Sequence, residues 1–220
     1  MKLDDRIASR IPGAERPAPV LRARQSDRRA ASDRRMLDAA VRLIAERGAA
    51  GTSLGDIGLA AGYSRGLPSE RFGSKLRLLE AIVDRSEGWF QKRLDVALAG
   101  KTGLDAVLAR ISAHFDGAMH DPMAAAALYS LYVESINVLP ELRPRIATLS
   151  NGFQRGFTEH LREGQRLGQV RADVNCKSQA LVIVGAVRGL IIQSLIDRGP
   201  NDLQNGKKAL LKLFGDCLRA

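Results

Sequence analysis

Four runs decide how this chain is read: Ala40-Val41-Arg42-Leu43-Ile44-Ala45-Glu46-Arg47-Gly48, Thr52-Ser53-Leu54-Gly55-Asp56-Ile57, Ala61-Gly62-Tyr63-Ser64-Arg65-Gly66 and Phe72-Gly73-Ser74-Lys75. In the first, Leu37, Ala40, Val41, Ile44 and Ala45 return at steps of three and four, the stripe of an amphipathic helix. Ser32 is its expected cap and Gly48 its stop. Thr52 or Ser53 can cap a short second helix burying Leu54, Ile57 and Ala61 and ending at Gly62, which can enter the left-handed region that a tight turn demands. Ser64 stands where a third helix would be capped, with Phe72 as its core anchor. Gly73-Ser74 breaks the chain again and opens a long helix through Leu76, Leu79, Ile82, Val83 and Trp89.

One helix of about four turns, a short helix, a glycine-containing turn and a second short helix form the layout of a helix-turn-helix, whose last segment enters the major groove of DNA. With Leu78-Leu79, the quoted residues span 40 positions and closely resemble the TetR family of transcriptional regulators. That resemblance implies an all-α fold, with a three-helix DNA-binding head followed by a larger helical effector and dimer domain. It also implies that Lys75 contacts the DNA backbone.

The physical reading of the head runs beside it. Thr52 and Ser53 lie where hydroxyls and free amides suit a phosphate oxygen. Ser64, Arg65, Leu67, Ser69 and Arg71 lie on or beside the expected recognition helix, where arginine can pair with guanine and leucine can meet a thymine methyl. Three residues depart from the family pattern. Pro68 removes an amide from the recognition helix, Ser69 replaces a common phosphate-contacting tyrosine, and Glu70 would repel phosphate. Gly55 and Gly58 would each weaken the second helix by roughly 1 kcal/mol relative to alanine.

The rest of the composition agrees. The 220 residues carry a formal net charge of +10, with 16 basic and 10 acidic side chains in residues 1–80. Such a bias supplies salt-sensitive attraction to phosphate. Residues 1–30, with Pro12, Pro17, Pro19 and scattered arginines, read as a flexible basic arm, 31–80 as the head and 81–220 as the larger domain. Cys176 and Cys217 sit in apolar helical patterns without the spacing of a metal or redox motif, so reduced core thiols are expected. The opening residues show no secretory leader, and the greasiest run, 181–196, is interrupted by Arg188, so a cytoplasmic protein without membrane attachment is expected.

Beyond residue 80 apolar stripes mark further helices, broken at Gly100, Asp121-Pro122, Leu139-Pro140 and Gly168. The stripe of Ile183, Val184, Val187, Leu190, Ile191 and Leu195, with Leu210 and Phe214, is expected to form a two-fold interface, an internal core being the plainer alternative. Trp89, Phe90, His114, Phe115, Met119, Met123, Tyr129, Tyr132, Phe153 and Phe157 are candidates to line a pocket for a small, mainly apolar effector, although each alone is more simply core. His114, His120 and His160 lack metal-ligand spacing or a nucleophile partner, and the glycines form no phosphate loop. No catalysis, metal or cofactor is therefore expected. The expected function is a ligand-responsive repressor binding a palindromic duplex operator as a homodimer. A protein-binding helical adaptor and, further off, a helical enzyme are the rivals.

Overall fold

The computed structural model describes residues 19–197 and 202–220, with the side chains of residues 19–25 left aside. Helices follow in the order α1 (Pro19–Arg47), α2 (Leu54–Ala60), α3 (Leu67–Phe72), α4 (Lys75–Leu98), α5 (Gly103–His120), α6 (Pro122–Asn137), a 3₁₀ turn (Pro140–Leu142), α7 (Arg143–Arg166), α8 (Cys176–Asp197) and α9 (Asp202–Leu218). Among the described residues β pairing is limited to an isolated antiparallel bridge between Val170 and Arg219.

The chain divides into two compact units, residues 1–34 and 35–220. Of the expected arm, residues 1–18 lie outside the described residues, while 19–30 are helical. The helix starts at Pro19 and not at Ser32, because proline is tolerated in the first helical turn, where its missing amide is lost anyway, and Leu21 to Gln25 are good helix formers. Ser32 is an interior residue whose hydroxyl donates to the Arg29 carbonyl at 2.8 Å.

Other boundaries follow from local chemistry. Ser53 caps α2 through a reciprocal box in which its hydroxyl accepts from the Asp56 amide and the Asp56 carboxylate accepts from the Ser53 amide. Ser74 caps α4 by accepting from the Arg77 amide, and Asp121 caps α6 ahead of Pro122.

Two larger clusters and a small third one form the core. One joins α5, α7, α8 and α9 around Phe115, Phe157, Ile183, Val187 and Phe214. The second joins Met36, Ala40 and Ile44 of α1, Ile57 of α2 and Leu78, Leu79, Ile82 and Val83 of α4 to Leu131 of α6 and Ile146 and Leu149 of α7. The small third one holds Phe90, Leu94 and Ala113, and Phe153 packs against all three. Apolar packing is thus continuous across the expected division at residue 80, and α4 passes from the head into the larger set of helices.

By length and composition α8 could cross a membrane. Its inner face, however, is packed into the first cluster. Cys176 is buried and its thiol donates to Gln165 Oε1 at 3.1 Å, whereas Cys217 is exposed on α9 and is not the core thiol expected.

Candidate nucleic-acid interface and effector core

The head is built by close approach of α2 and α3. Gly58 on α2 faces the turn before α3. A Cβ there would lie far inside contact distance of the Ser64 carbonyl oxygen and 3.1 Å from Pro68 Cδ. The Gly58 carbonyl accepts from the Tyr63 amide at 2.8 Å. Helix α3 begins at Leu67 with Gly66 at its cap, two residues later than a Ser64 cap would give, so Pro68 falls where no helical amide is needed and packs, buried, beside Gly58. Gly58 is therefore the residue that permits the turn, and not simply a weak point in α2.

The expected DNA-reading residues separate into two groups. Ser53, Ser64, Arg65 and Ser69 are exposed around α2, the turn and α3, and Arg71 and Lys75, at the end of α3 and the start of α4, are half-buried. Arg65 stands in the turn, with its side chain laid over Gly55 and its charge acting on Asp56. The Ser53 hydroxyl and amide, together with Arg47 and Arg65, hold the Asp56 carboxyl below the usual carboxylate range. Lys75 Nζ reaches the Ala50 carbonyl at 3.5 Å. Thr52 is corrected: it is 2% exposed and its hydroxyl donates to the Gly48 carbonyl at 2.8 Å, so it finishes the α1–α2 turn and cannot meet a phosphate. Leu67 is half-buried and packs against the head core, where an apolar side chain at the first turn of so short a helix is drawn.

A contact that the sequence does not announce ties the head to α6. Both Glu134 carboxylate oxygens accept backbone amides from the α1–α2 turn, Ala49 at 2.8 Å and Ala50 at 2.7 Å, and the Ser130 hydroxyl donates to the same carboxylate at 2.6 Å. Ion pairs add to it: Arg85 of α4 to Asp38 of α1 at 2.6 Å, and Arg145 of α7 to Asp84 at 2.7 Å and to Glu87. Replacing Glu134 by alanine leaves the turn amides without their acceptor. We expect faster hydrogen exchange at amides 49 and 50 and a loss of about 1–3 kcal/mol in stability, read by denaturant titration. Unchanged exchange would show that water replaces the carboxylate at no cost.

The interior between α4, α5, α6, α7 and α8 collects part of the expected pocket set. His114 lies 4.3 Å from Phe90, 4.9 Å from Phe153 and 5.9 Å from Phe157, ring centre to ring centre. The rings of Tyr129 and Tyr132 on α6 lie 6.0 Å apart, tilted by 31°. Met119 is partly buried against the first cluster. Three candidates fall elsewhere. Trp89 is exposed and stacks on His120 at 5.8 Å with Arg93 over it, Met123 is exposed, and Phe115 is fully buried in the α5–α9 core.

Sequence reasoning missed the cations here. Arg188 of α8 donates to the Ser150 hydroxyl at 3.1 Å and to the Tyr132 hydroxyl at 3.0 Å, with its guanidinium 4.6 Å from the Tyr132 ring. Arg110 of α5 lies over the Phe157 ring at 5.5 Å, and a Cβ on Gly156 would come within 2.5 Å of it. Burial, then the charges of Arg110 and Arg188, push the His114 pKa down to about 3. Desolvation raises both tyrosines, Tyr129 and Tyr132, and lowers Arg110. The available signal was a lone arginine inside an otherwise apolar run.

The expected two-fold interface is also corrected. Ile183, Val184, Val187, Ile191, Leu210 and Phe214 are buried in this chain's own core, with Leu190 and Leu195 packed against it. Because α8 is apolar on both sides, its stripe alone does not say which side faces inward. Its outward side carries Leu181, Val182, Ile192 and Ile196, with Gly185 and Gly189 between them meeting nothing within 4 Å, and α9 adds Leu213.

Comparison with known proteins agrees with this architecture. The profile of the bacterial regulatory proteins, tetR family, matches residues 36–82. No curated protein matches the chain. Among solved structures, a TetR transcriptional regulator from Chloroflexus aurantiacus superposes with a TM-score of 0.78 at 23% identity, covering 88% of this chain and 98% of its own. A transcriptional regulator from Saccharomonospora viridis, solved with choline, gives 0.76 at 20% identity, covering 87% and 99%. FadR from Bacillus subtilis, solved with stearoyl-CoA, gives 0.73 at 21% identity, covering 84% and 98%. Residues 36–82 therefore match the helix-turn-helix of the bacterial regulatory proteins, tetR family, and the chain as a whole shares its fold with solved structures of TetR regulators.

Proposed function

We propose that this chain is a DNA-binding transcriptional regulator of the TetR type working as a cytoplasmic homodimer, that its two heads grip a palindromic operator, and that a small ligand in the α4–α8 interior changes that grip, with repression as the outcome. The observation carrying this reading is the path of α4, which starts at Lys75 in the head, shares the head's core through Leu78 to Val83, and brings Phe90 and Leu94 beside the His114 cluster. Any ligand that prefers one placement of Phe90 biases Lys75 through a continuous helix. The structural relatives were solved with ligands as unlike as choline and stearoyl-CoA, which supports an adaptable interior without naming its occupant. The outward face of α8 and Leu213 of α9 suits a second copy, since an apolar stripe of this kind is normally covered.

Titrating random and selected duplexes across a salt series tests the reading. Affinity falls steeply with salt, and Lys75→Ala weakens all duplexes alike while lowering the salt slope by about one phosphate contact. Arg65→Ala changes the preference between sequences, whereas Leu67→Ala acts through stability. Val182→Glu with Ile196→Glu turns a complex of two chains per duplex into weak binding by one. Absence of duplex affinity in low salt would leave the protein-binding adaptor.

A further inference from the structure

We propose that the ligand of the interior site carries an oxyanion, a carboxylate on an apolar body, seated on Arg188, Tyr132 and Ser150, with Arg110 at its flank. This rests on the effector-site reading above and supplies its chemistry. It departs from a purely apolar ligand, and it excludes a cationic one.

The argument is a balance of donors and charge. Arg188 spends one N–H on Ser150 and one on Tyr132, leaving three of its five. Each hydroxyl accepts from Arg188, so each keeps its own hydrogen to donate, and the three groups present donors to the same space. Arg110 Nε is buried without a partner, and a guanidinium N–H is a donor only, so what it lacks is an acceptor. His114 Nε2 is buried and also lacks a partner.

Neither Arg110 nor Arg188 forms an ion pair among the described residues. The carboxylates that reach this cluster do so from its edge: Glu159, which acts on Arg110 from an exposed position, and Glu87, which acts on Tyr132 while bound to Arg145. Two guanidiniums in an aromatic interior without a paired carboxylate are costly. An incoming anion would meet several donors already in place and offset that cost. A quaternary ammonium would find aromatic faces already taken by cations, Arg110 on Phe157 and Arg188 on Tyr132. The apolar body would lie against Phe90, Phe153 and Phe157.

The test uses the full chain, with melting temperature and operator binding followed in parallel. Probes are straight-chain carboxylates from acetate to hexadecanoate, the matching primary amides, and alkyltrimethylammonium ions of equal length. At least one carboxylate is expected to raise the melting temperature and to bind at least about tenfold tighter than its amide, with no response to the ammonium series. Arg188→Met should abolish the difference between acid and amide while leaving the ligand-free melting temperature at or above that of the unaltered protein, because an unpaired charge is removed. Tyr132→Phe, which keeps the ring, should cost severalfold in carboxylate affinity.

Equal binding of acid and amide, persistence of the acid preference in Arg188→Met and Tyr132→Phe, or no response to any carboxylate overturns the proposal. Arg188-dependent carboxylate binding that leaves operator affinity unchanged upholds the anion site and defeats the effector reading. An amide or ammonium ion that alters operator affinity where no carboxylate does upholds the effector reading and defeats the anion site.

Discussion

Gly58→Ala is expected to lower affinity for the operator by on the order of 10- to 100-fold, the equivalent of one or two base-edge contacts at about 1–3 kcal/mol each. Helix propensity alone points the other way, since alanine in place of glycine inside a helix gains about 1 kcal/mol. The steric term wins. The new methyl would overlap the Ser64 carbonyl oxygen and press on Pro68 Cδ at 3.1 Å, and both atoms belong to rigid parts of the turn and α3, with no flexible side-chain end to yield. Relief requires α3 to move away from α2, which strains the Tyr63 amide bond to Gly58 and the Leu67 amide bond to Ser64, at a cost of about 1–3 kcal/mol. Because the exposed residues of α3 ride on that displacement, DNA binding suffers more than stability does. Gly62→Ala is the control. It has a φ of 79° and open space within 4 Å, so alanine costs about 1–2 kcal/mol of backbone strain while α2 and α3 keep their approach. Duplex titration with both variants, alongside their melting temperatures, checks the expectation. Equal operator affinity in Gly58→Ala and the unaltered protein would show that the turn tolerates the methyl.

How much of this was legible in the sequence depends on the range over which each residue acts. Capping is local, so Ser53, Ser74 and Asp121-Pro122 announce α2, α4 and α6 from their own neighbourhoods. The helix-turn-helix is legible for the same reason, as a run of caps, turns and short stripes within 50 residues. The start of α1 was not, because a proline-containing basic stretch reads as disorder by composition even when proline occupies the one position of a helix that accepts it. The late start of α3 at Leu67 was hidden by a serine that looked like a cap and is not one.

Long-range matches are where single-sequence reading stops. Glu134 finds its amides 84 and 85 residues away, and Arg188 finds Ser150 and Tyr132 at 38 and 56 residues. The phase of α8 failed for a different reason: a helix apolar all round offers two equivalent faces, and only the packing of α5, α7 and α9 decides which one is inside. These distant contacts share α6. Tyr132 bonds Arg188 on one side, and Glu134, two residues later, holds the turn before α2. Occupancy of the Arg188 site therefore has a short route to the head through α6, in addition to the route along α4.

His114 is expected to make the protein markedly sensitive to mild acid. Its pKa is held near 3 by burial and by the charges of Arg110 and Arg188, against about 6.5 in an unfolded chain. For a base with a depressed native pKa, the unfolded state takes up the proton first as pH falls. The contribution of His114 is accordingly full above pH 6.5 and is lost between pH 6.5 and about 3, at about 1.4 kcal/mol per pH unit. Between pH 6.5 and 5 this amounts to about 2 kcal/mol, in a range where carboxylates are still mostly ionised. His114→Phe isolates the effect, since a phenyl ring can take the same place among Phe90, Phe153 and Phe157 and cannot titrate. His160, whose pKa is also lowered by burial, is present in both proteins and cancels. Whatever overpacking costs the variant at pH 7, the stability gap between the two proteins should move in favour of His114→Phe by about 2 kcal/mol as pH drops from 6.5 to 5. Denaturant titrations at the two pH values measure that movement. Parallel curves would mean that protonated His114 is accommodated beside two guanidiniums, and the interior would then be far wetter than its packing indicates.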